Sequence, residues 1–89
     1  MIVTTLRIRN KLGLHARAAV KFVNTANRFA ADVRIIRDGG EIDGKSILGI
    51  LTLAATQGTD LLLRLEGPDE TEAAQALTDL VGLRFGEKE

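Results

Sequence analysis

Residues 39–46 read Gly39-Gly40-Glu41-Ile42-Asp43-Gly44-Lys45-Ser46, and this stretch fits G-x-x-x-x-G-K-[ST], the pattern of loops that wrap nucleotide phosphates. Taken as such a loop, it would open a parallel α/β nucleotide-binding fold. Taken as a tight turn, a short strand and a helix start, it belongs to an antiparallel sheet. Size favours the second. Each crossover between parallel strands takes a dozen or more residues, and too little chain follows Ser46 in a protein of 89 residues. Glu41 and Asp43 would also bring negative charge into a cradle meant for a polyanion. Ile42 fits a strand residue pointing into a core. Asp38-Gly39-Gly40 is therefore a turn into a strand at Glu41-Ile42-Asp43, and Ser46 caps a helix that begins at Ile47.

Outward from this turn, the patterning is consistent. Ile2 to Ile8 alternates, with Ile2, Thr4, Leu6 and Ile8 on one face of a half-buried strand. Asn10-Lys11-Leu12-Gly13 breaks that pattern. From Ala16 to Arg28 the period is helical: Ala19, Phe22, Val23 and Ala26 form an apolar stripe, with Arg17, Lys21, Asn24 and Arg28 on a basic and polar face. Asp32 to Arg37 is a second strand, and Leu61 to Glu66 a fourth. Gly67-Pro68 ends the last strand, and Asp69 with Glu72 predicts a capping box for a final helix that buries Ala73, Ala74, Leu77, Leu80 and Val81. The order β-α-β-β-α-β-α predicts an α+β open-faced sandwich, one antiparallel sheet with helices on one face. Residues 1–89 are expected to form a single domain.

Composition narrows the function. Twelve basic and twelve acidic residues cancel, so a general attraction to nucleic acid or to acidic membranes is not expected. Three Phe with no Tyr or Trp offer few platforms for base stacking. There is no cysteine, which excludes disulfides and thiol chemistry. The apolar run Ile47 to Ala55 is far shorter than the ~20 residues of a membrane span. A cytoplasmic protein is expected.

The only histidine, His15, sits where the loop meets the first helix in Gly13-Leu14-His15-Ala16-Arg17-Ala18-Ala19. Unpaired N–H groups of a first helical turn, here those of Ala16 and Ala18 among them, point toward such a side chain and make an anion site. Partial positive charge there favours a neutral, nucleophilic ring. Arg17 can offer a guanidinium to a phosphoryl group, and Gly13 leaves the approach uncluttered. This combination suits reversible covalent phosphorylation of the imidazole. A metal site fits poorly without a second His or any Cys, and no cofactor is expected. An incidental surface histidine in a small partner-binding module is the alternative from another class.

Three stretches now carry a resemblance over the whole chain: N-K-x-G-L-H-A-R-x-A from Asn10 to Ala19, G-K-S-I-L-G-I-L-x-L from Gly44 to Leu53, and Ala55-Thr56-Gln57-Gly58-Thr59-Asp60. In them the sequence resembles HPr, the histidine-containing phosphocarrier family of the bacterial phosphoenolpyruvate-dependent phosphotransferase system. The resemblance implies a four-stranded antiparallel sheet covered by three helices. It implies that His15 accepts a phosphoryl group through Nδ1 from enzyme I and passes it to enzyme IIA-type proteins, with Arg17 stabilising the phosphohistidine. The chain would then be a stoichiometric carrier and not an enzyme. It further implies Ser46 as a regulatory site for an ATP-dependent HPr kinase/phosphorylase, so that any nucleotide near GGEIDGKS is held by another protein. Many members carry Pro after the arginine, where this chain has Ala18, which retains a backbone N–H. A proline-free H-A-R-A-A is also compatible with the nitrogen-related branch, in which carriage serves regulation.

Ile47, Leu48 and Leu51 share one face of a helix too short to bury them all, whereas Ile50 and Leu53 face the core. The resemblance makes the first three, with Arg17 and Lys21, the surface that docks partners. Phosphate on Ser46 would add about −2 charges at the helix N-terminus, which tolerates it, beside that patch. Transient docking of this kind leads to the expectation of a monomer.

Overall fold

Asp38 and Gly39, at φ 52° and 80°, form a two-residue turn that brings Arg37 opposite Gly40. Two successive positive φ angles give the turn whose twist matches the strands it joins. In this computed structural model, which describes residues 1–89, the chain forms β1 (Ile2–Arg7), α1 (Ala16–Ala26), β2 (Asp32–Arg37), β3 (Gly40–Asp43), α2 (Ile47–Thr52), β4 (Asp60–Glu66) and α3 (Glu70–Gly82). The four strands lie in the order β1-β4-β2-β3, and every neighbouring pair is antiparallel. This is the expected open-faced sandwich.

Alternation explains which face is covered. Leu6, Leu61, Leu63, Leu65, Val33 and Ile35 are buried under the helices, whereas Val3, Thr5 and Leu62 stand exposed on the opposite face. Helix α1 presents Ala18, Ala19, Phe22, Val23 and Ala26 to the core, and α3 presents Ala73, Leu77 and Val81. Packing of α1 against both α2 and α3 closes the helical layer. Burying an aliphatic or aromatic side chain stabilises by about 1.5–3 kcal/mol, so this continuous layer outweighs the exposed ion pairs of the open face, such as Arg7–Asp60 at 2.8 Å, worth ~0–1 kcal/mol each.

Within GGEIDGKSILG, Gly44 and Gly49 serve packing. A Cβ on Gly44 would lie 2.5 Å from Val33 Cγ1, and one on Gly49 2.6 Å from Ile42 Cγ2. Gly44 also donates its N–H to Val33 O at 2.7 Å. Ser46 caps α2, its Oγ accepting from the Gly49 N–H at 3.1 Å.

Two expectations need correction. Helix α1 ends at Ala26, and Arg28 lies in the following turn, where Arg28 and Phe29 donate three residues back, to Thr25 O and Ala26 O. The capping box at Asp69 does not form: Asp69 precedes α3 but makes no side-chain cap bond to it. Its carboxylate accepts instead from the N–H groups of Ala30 and Ala31, both at 2.8 Å, in the α1–β2 connection. The Ala30 N–H above all, with that of Ala31 and the charge of Lys45, holds this carboxyl below its usual range against the cost of burial. Two adjacent donors and a charge offer a carboxylate more than one helix-end N–H does, so the side chain turns away from its own helix. Glu70 Oε1 accepts from the Gly67 N–H at 3.3 Å in its place.

Candidate functional site

Gly13 sets the entry to the site. At φ 70° it occupies the left-handed region, and a Cβ there would meet Ala55 O at 2.3 Å. The same carbonyl receives the Leu14 N–H at 2.9 Å. Gly13 is itself buried, so its value lies in this close backbone approach rather than in clearing a path to His15, as the sequence suggested.

His15 follows as the residue that caps α1. Its backbone is extended (φ −78°, ψ 178°), and its carbonyl takes the first helical bond, from the Ala19 N–H at 2.8 Å. Its Nδ1 accepts from the Arg17 N–H at 3.3 Å. On the other side of the ring, Nε2 lies 2.5 Å from Glu87 Oε2. A carboxylate oxygen accepts, so Nε2 carries the proton; a proton on Nδ1 would point at the Arg17 N–H. The partners therefore select one neutral tautomer, with the lone pair on Nδ1 facing the helix N-terminus. The N–H groups of Ala16 and Ala18 have no protein acceptor, as the first turn of a helix requires.

Glu87 comes from the far end of the chain. After α3 the backbone makes a 3-10 turn at Arg84–Gly86, in which Arg84, Phe85 and Gly86 take φ 55°, 56° and 78°. Phe85 is buried at 1% exposure and anchors the turn. Lys21 Nζ donates to Phe85 O at 2.6 Å, and the Lys11 N–H donates to Glu89 O at 2.5 Å. Asn10, fully buried, donates from one Nδ2 to Gly13 O at 2.8 Å and to Glu87 Oε1 at 2.9 Å. Burial works to raise the Glu87 carboxyl, but the hydrogen bonds from Asn10 and His15 and the charge of Lys21 outweigh it and hold the group below its ordinary value. Side-chain exposures are 28% for His15 and 15% for Glu87, and both residues line an open cleft of about 750 Å³ that also borders Leu12 and Arg17.

The remaining predicted residues are placed as follows. Arg17 is exposed, and its guanidinium makes no ion pair. Lys21 is half-buried and tied to the C-terminal turn. Ile47, Leu48 and Leu51 are 39%, 76% and 36% exposed, while Ile50 is fully buried and Leu53 packs partly against the core. Ser46 stands half-buried beside that apolar patch. No group of three or more His, Cys, Asp or Glu side chains converges, and no helix is long and apolar enough to cross a membrane. Local sequence patterning does not mark Asn10 or Glu87 as site residues. Glu87 lies 72 positions from His15 in a tail without periodicity; the one clue was Phe85, an apolar residue beyond the last helical stripe that needed somewhere to be buried.

The single imidazole thus has one nitrogen bound to a carboxylate and the other beside helix-end amides, accepting a long bond from the Arg17 N–H. A family model described as the PTS HPr component phosphorylation site matches residues 2–82. The chain is similar to the phosphocarrier protein HPr of Neisseria meningitidis, 47% identical over the full length of both. It is also similar to that of Pseudomonas aeruginosa, 51% identical over 94% of each. A solved HPr from Thermoanaerobacter tengcongensis superposes over the whole of both chains with a TM-score of 0.95 at 44% identity. The chain belongs to the HPr family of phosphocarrier proteins of the phosphotransferase system. A further structure of the Thermoanaerobacter HPr, with a TM-score of 0.75, is of a dimer, so the family does not by itself support the expected monomer.

Proposed function

We propose that this chain is a stoichiometric phosphoryl carrier in which His15 Nδ1 takes a phosphoryl group from phosphorylated enzyme I and hands it to enzyme IIA-type proteins. The observation that supports this most is the Nδ1 lone pair turned toward the first turn of α1, with the competing nitrogen occupied by Glu87. In the transfer, that lone pair forms the N–P bond as the bond between phosphorus and the donor breaks, and the electron pair of the broken bond leaves with the donor. Arg17, uncommitted in the structure, pairs with the phosphoryl oxygens, and the free N–H groups of Ala16 and Ala18 add to the field that holds them. The chain supplies no acceptor nucleophile in line with the bond, so onward transfer waits for a partner to bring one. Incubation with enzyme I and labelled phosphoenolpyruvate should give an acid-labile, base-stable label that leaves when an enzyme IIA is added; an unlabelled chain contradicts the proposal.

Ile47, Leu48 and Leu51, with Arg17 and Lys21, form the docking surface in this proposal. The exposure of these apolar side chains on α2, which packs against the helix that His15 caps, supports it. Phosphorylation of Ser46 by an HPr kinase/phosphorylase then places a dianion at the edge of the patch and weakens docking without unfolding α2. Ser46→Asp keeps a capping oxygen and should leave thermal stability within a few degrees, on the order of what a few tenths of a kcal/mol shifts. Enzyme I affinity, measured by calorimetry, should fall by about tenfold. Unchanged affinity would remove Ser46 as a switch.

A further inference from the structure

We infer that Glu87, held by Asn10, is a positioning residue that selects Nδ1 as the reactive nitrogen of His15 and keeps the ring proton on Nε2 throughout phosphoryl transfer. The inference rests on the carrier role proposed above for His15.

The geometry is directional. Asn10 Nδ2 donates to Gly13 O and to Glu87 Oε1 at once. Rotating the amide would set Asn10 Oδ1 against two acceptor oxygens, so its orientation is determined. Asn10 Oδ1 has no partner of its own. A buried group left unsatisfied costs stability, yet the amide keeps the orientation that feeds Glu87. Glu87 Oε1 must then accept from Asn10, and Oε2 must accept from Nε2–H. The turn that delivers Glu87 carries two adjacent non-glycine residues, Arg84 and Phe85, at positive φ. Such conformations persist only when the surroundings over-determine them; here burial of Phe85 and the Lys21 bond do so.

The chemistry gives this arrangement a purpose. When Nδ1 attacks, its lone pair becomes the N–P bond, Nε2 retains its hydrogen, and the ring becomes a phospho-imidazolium. The positive charge faces the Glu87 carboxylate. In the reverse step the N–P bond breaks, the electron pair returns to Nδ1, and neutral imidazole departs with its Nε2 proton still in place. Loss of that proton before transfer would require an imidazolate to leave, a far poorer leaving group. Glu87 thus acts on both halves of the cycle without touching phosphorus.

Two variants test this by opposing effects. In Glu87→Gln, Asn10 still demands an acceptor, so the new amide oxygen faces Asn10 and its NH₂ donates to His15 Nε2. That reverses the tautomer, placing the proton on Nδ1. In Glu87→Ala, Nε2 faces water and neither tautomer is imposed. Nitrogen-15 spectra of the neutral ring should show a pyridine-like Nδ1 in the wild type and a pyridine-like Nε2 in Glu87→Gln. Phosphoryl acceptance should rank wild type, then Ala, then Gln, with Gln slowed about 10- to 100-fold, in proportion to the competent tautomer that remains. A purely structural anchor predicts the opposite order, since Gln conserves shape and Ala does not. An unchanged tautomer in Glu87→Gln, or Ala slower than Gln, overturns the inference. A wild type that accepts no phosphoryl group would instead overturn the carrier proposal, and the tautomer spectra would still judge Glu87.

Discussion

Replacing His15 with alanine should abolish phosphoryl acceptance, with a loss of at least ~10³-fold set by the sensitivity of the assay. The chain has no other histidine and no cysteine, so no side chain of comparable nucleophilicity can take over. The fold should persist, because His15 contributes a long bond to the Arg17 N–H and one contact to Glu87 rather than core packing. Losing an N-cap side chain costs about 1 kcal/mol and losing the bond to Glu87 about 1 kcal/mol more, which together lower Tm by about 8–16 °C in a domain of this size. Gel-resolved label transfer and thermal denaturation measured on one preparation separate the two effects. Label remaining on a folded His15→Ala protein would place the acceptor elsewhere.

Gly13→Ala is the second large effect, and it acts on the frame that presents His15. The left-handed conformation at φ 70° costs an alanine about 1–2 kcal/mol. In addition the new Cβ would stand 2.3 Å from the Ala55 carbonyl, and neither backbone can yield without breaking the Leu14–Ala55 bond. Together these should destabilise by about 2–4 kcal/mol and lower Tm by on the order of 10–25 °C. Gly39→Ala is the control: it shares a left-handed φ, of 80°, but has no atom within 4 Å of the added methyl. Its cost should stay near ~1 kcal/mol. Equal melting temperatures for the two variants would show that the approach to Ala55 is not what makes Gly13 necessary.

The fold was legible in the sequence wherever one residue's neighbours along the chain determine its face. Alternation at Ile2 to Ile8, the stripe from Ala19 to Ala26 and the turn at Asp38-Gly39 report local geometry directly, and so does the crowding of apolar residues at Ile47 to Leu53. His15 was legible for the same reason, because the helix end that surrounds it is built from its own neighbours. Asp69 and Glu87 were not. Each turns its carboxylate toward partners far away in the chain: Asp69 to Ala30 and Ala31, Glu87 to Asn10 and His15. A capping box and an aimless acidic tail are what those residues look like to local pattern alone. The charged group goes where the most donors converge, and only the folded chain brings those donors together. Gly13 stands out in the sequence, but its purpose does not, since the carbonyl it approaches belongs to a loop beyond α2.

The most direct test of the carrier role is a phosphorus–nitrogen correlation spectrum of the nitrogen-15-labelled protein after incubation with enzyme I and phosphoenolpyruvate. Phosphorus bonded to Nδ1 of His15, with Nε2 free of phosphorus, is the expected result. Phosphorus on Nε2, on another residue, or nowhere on the chain would contradict it.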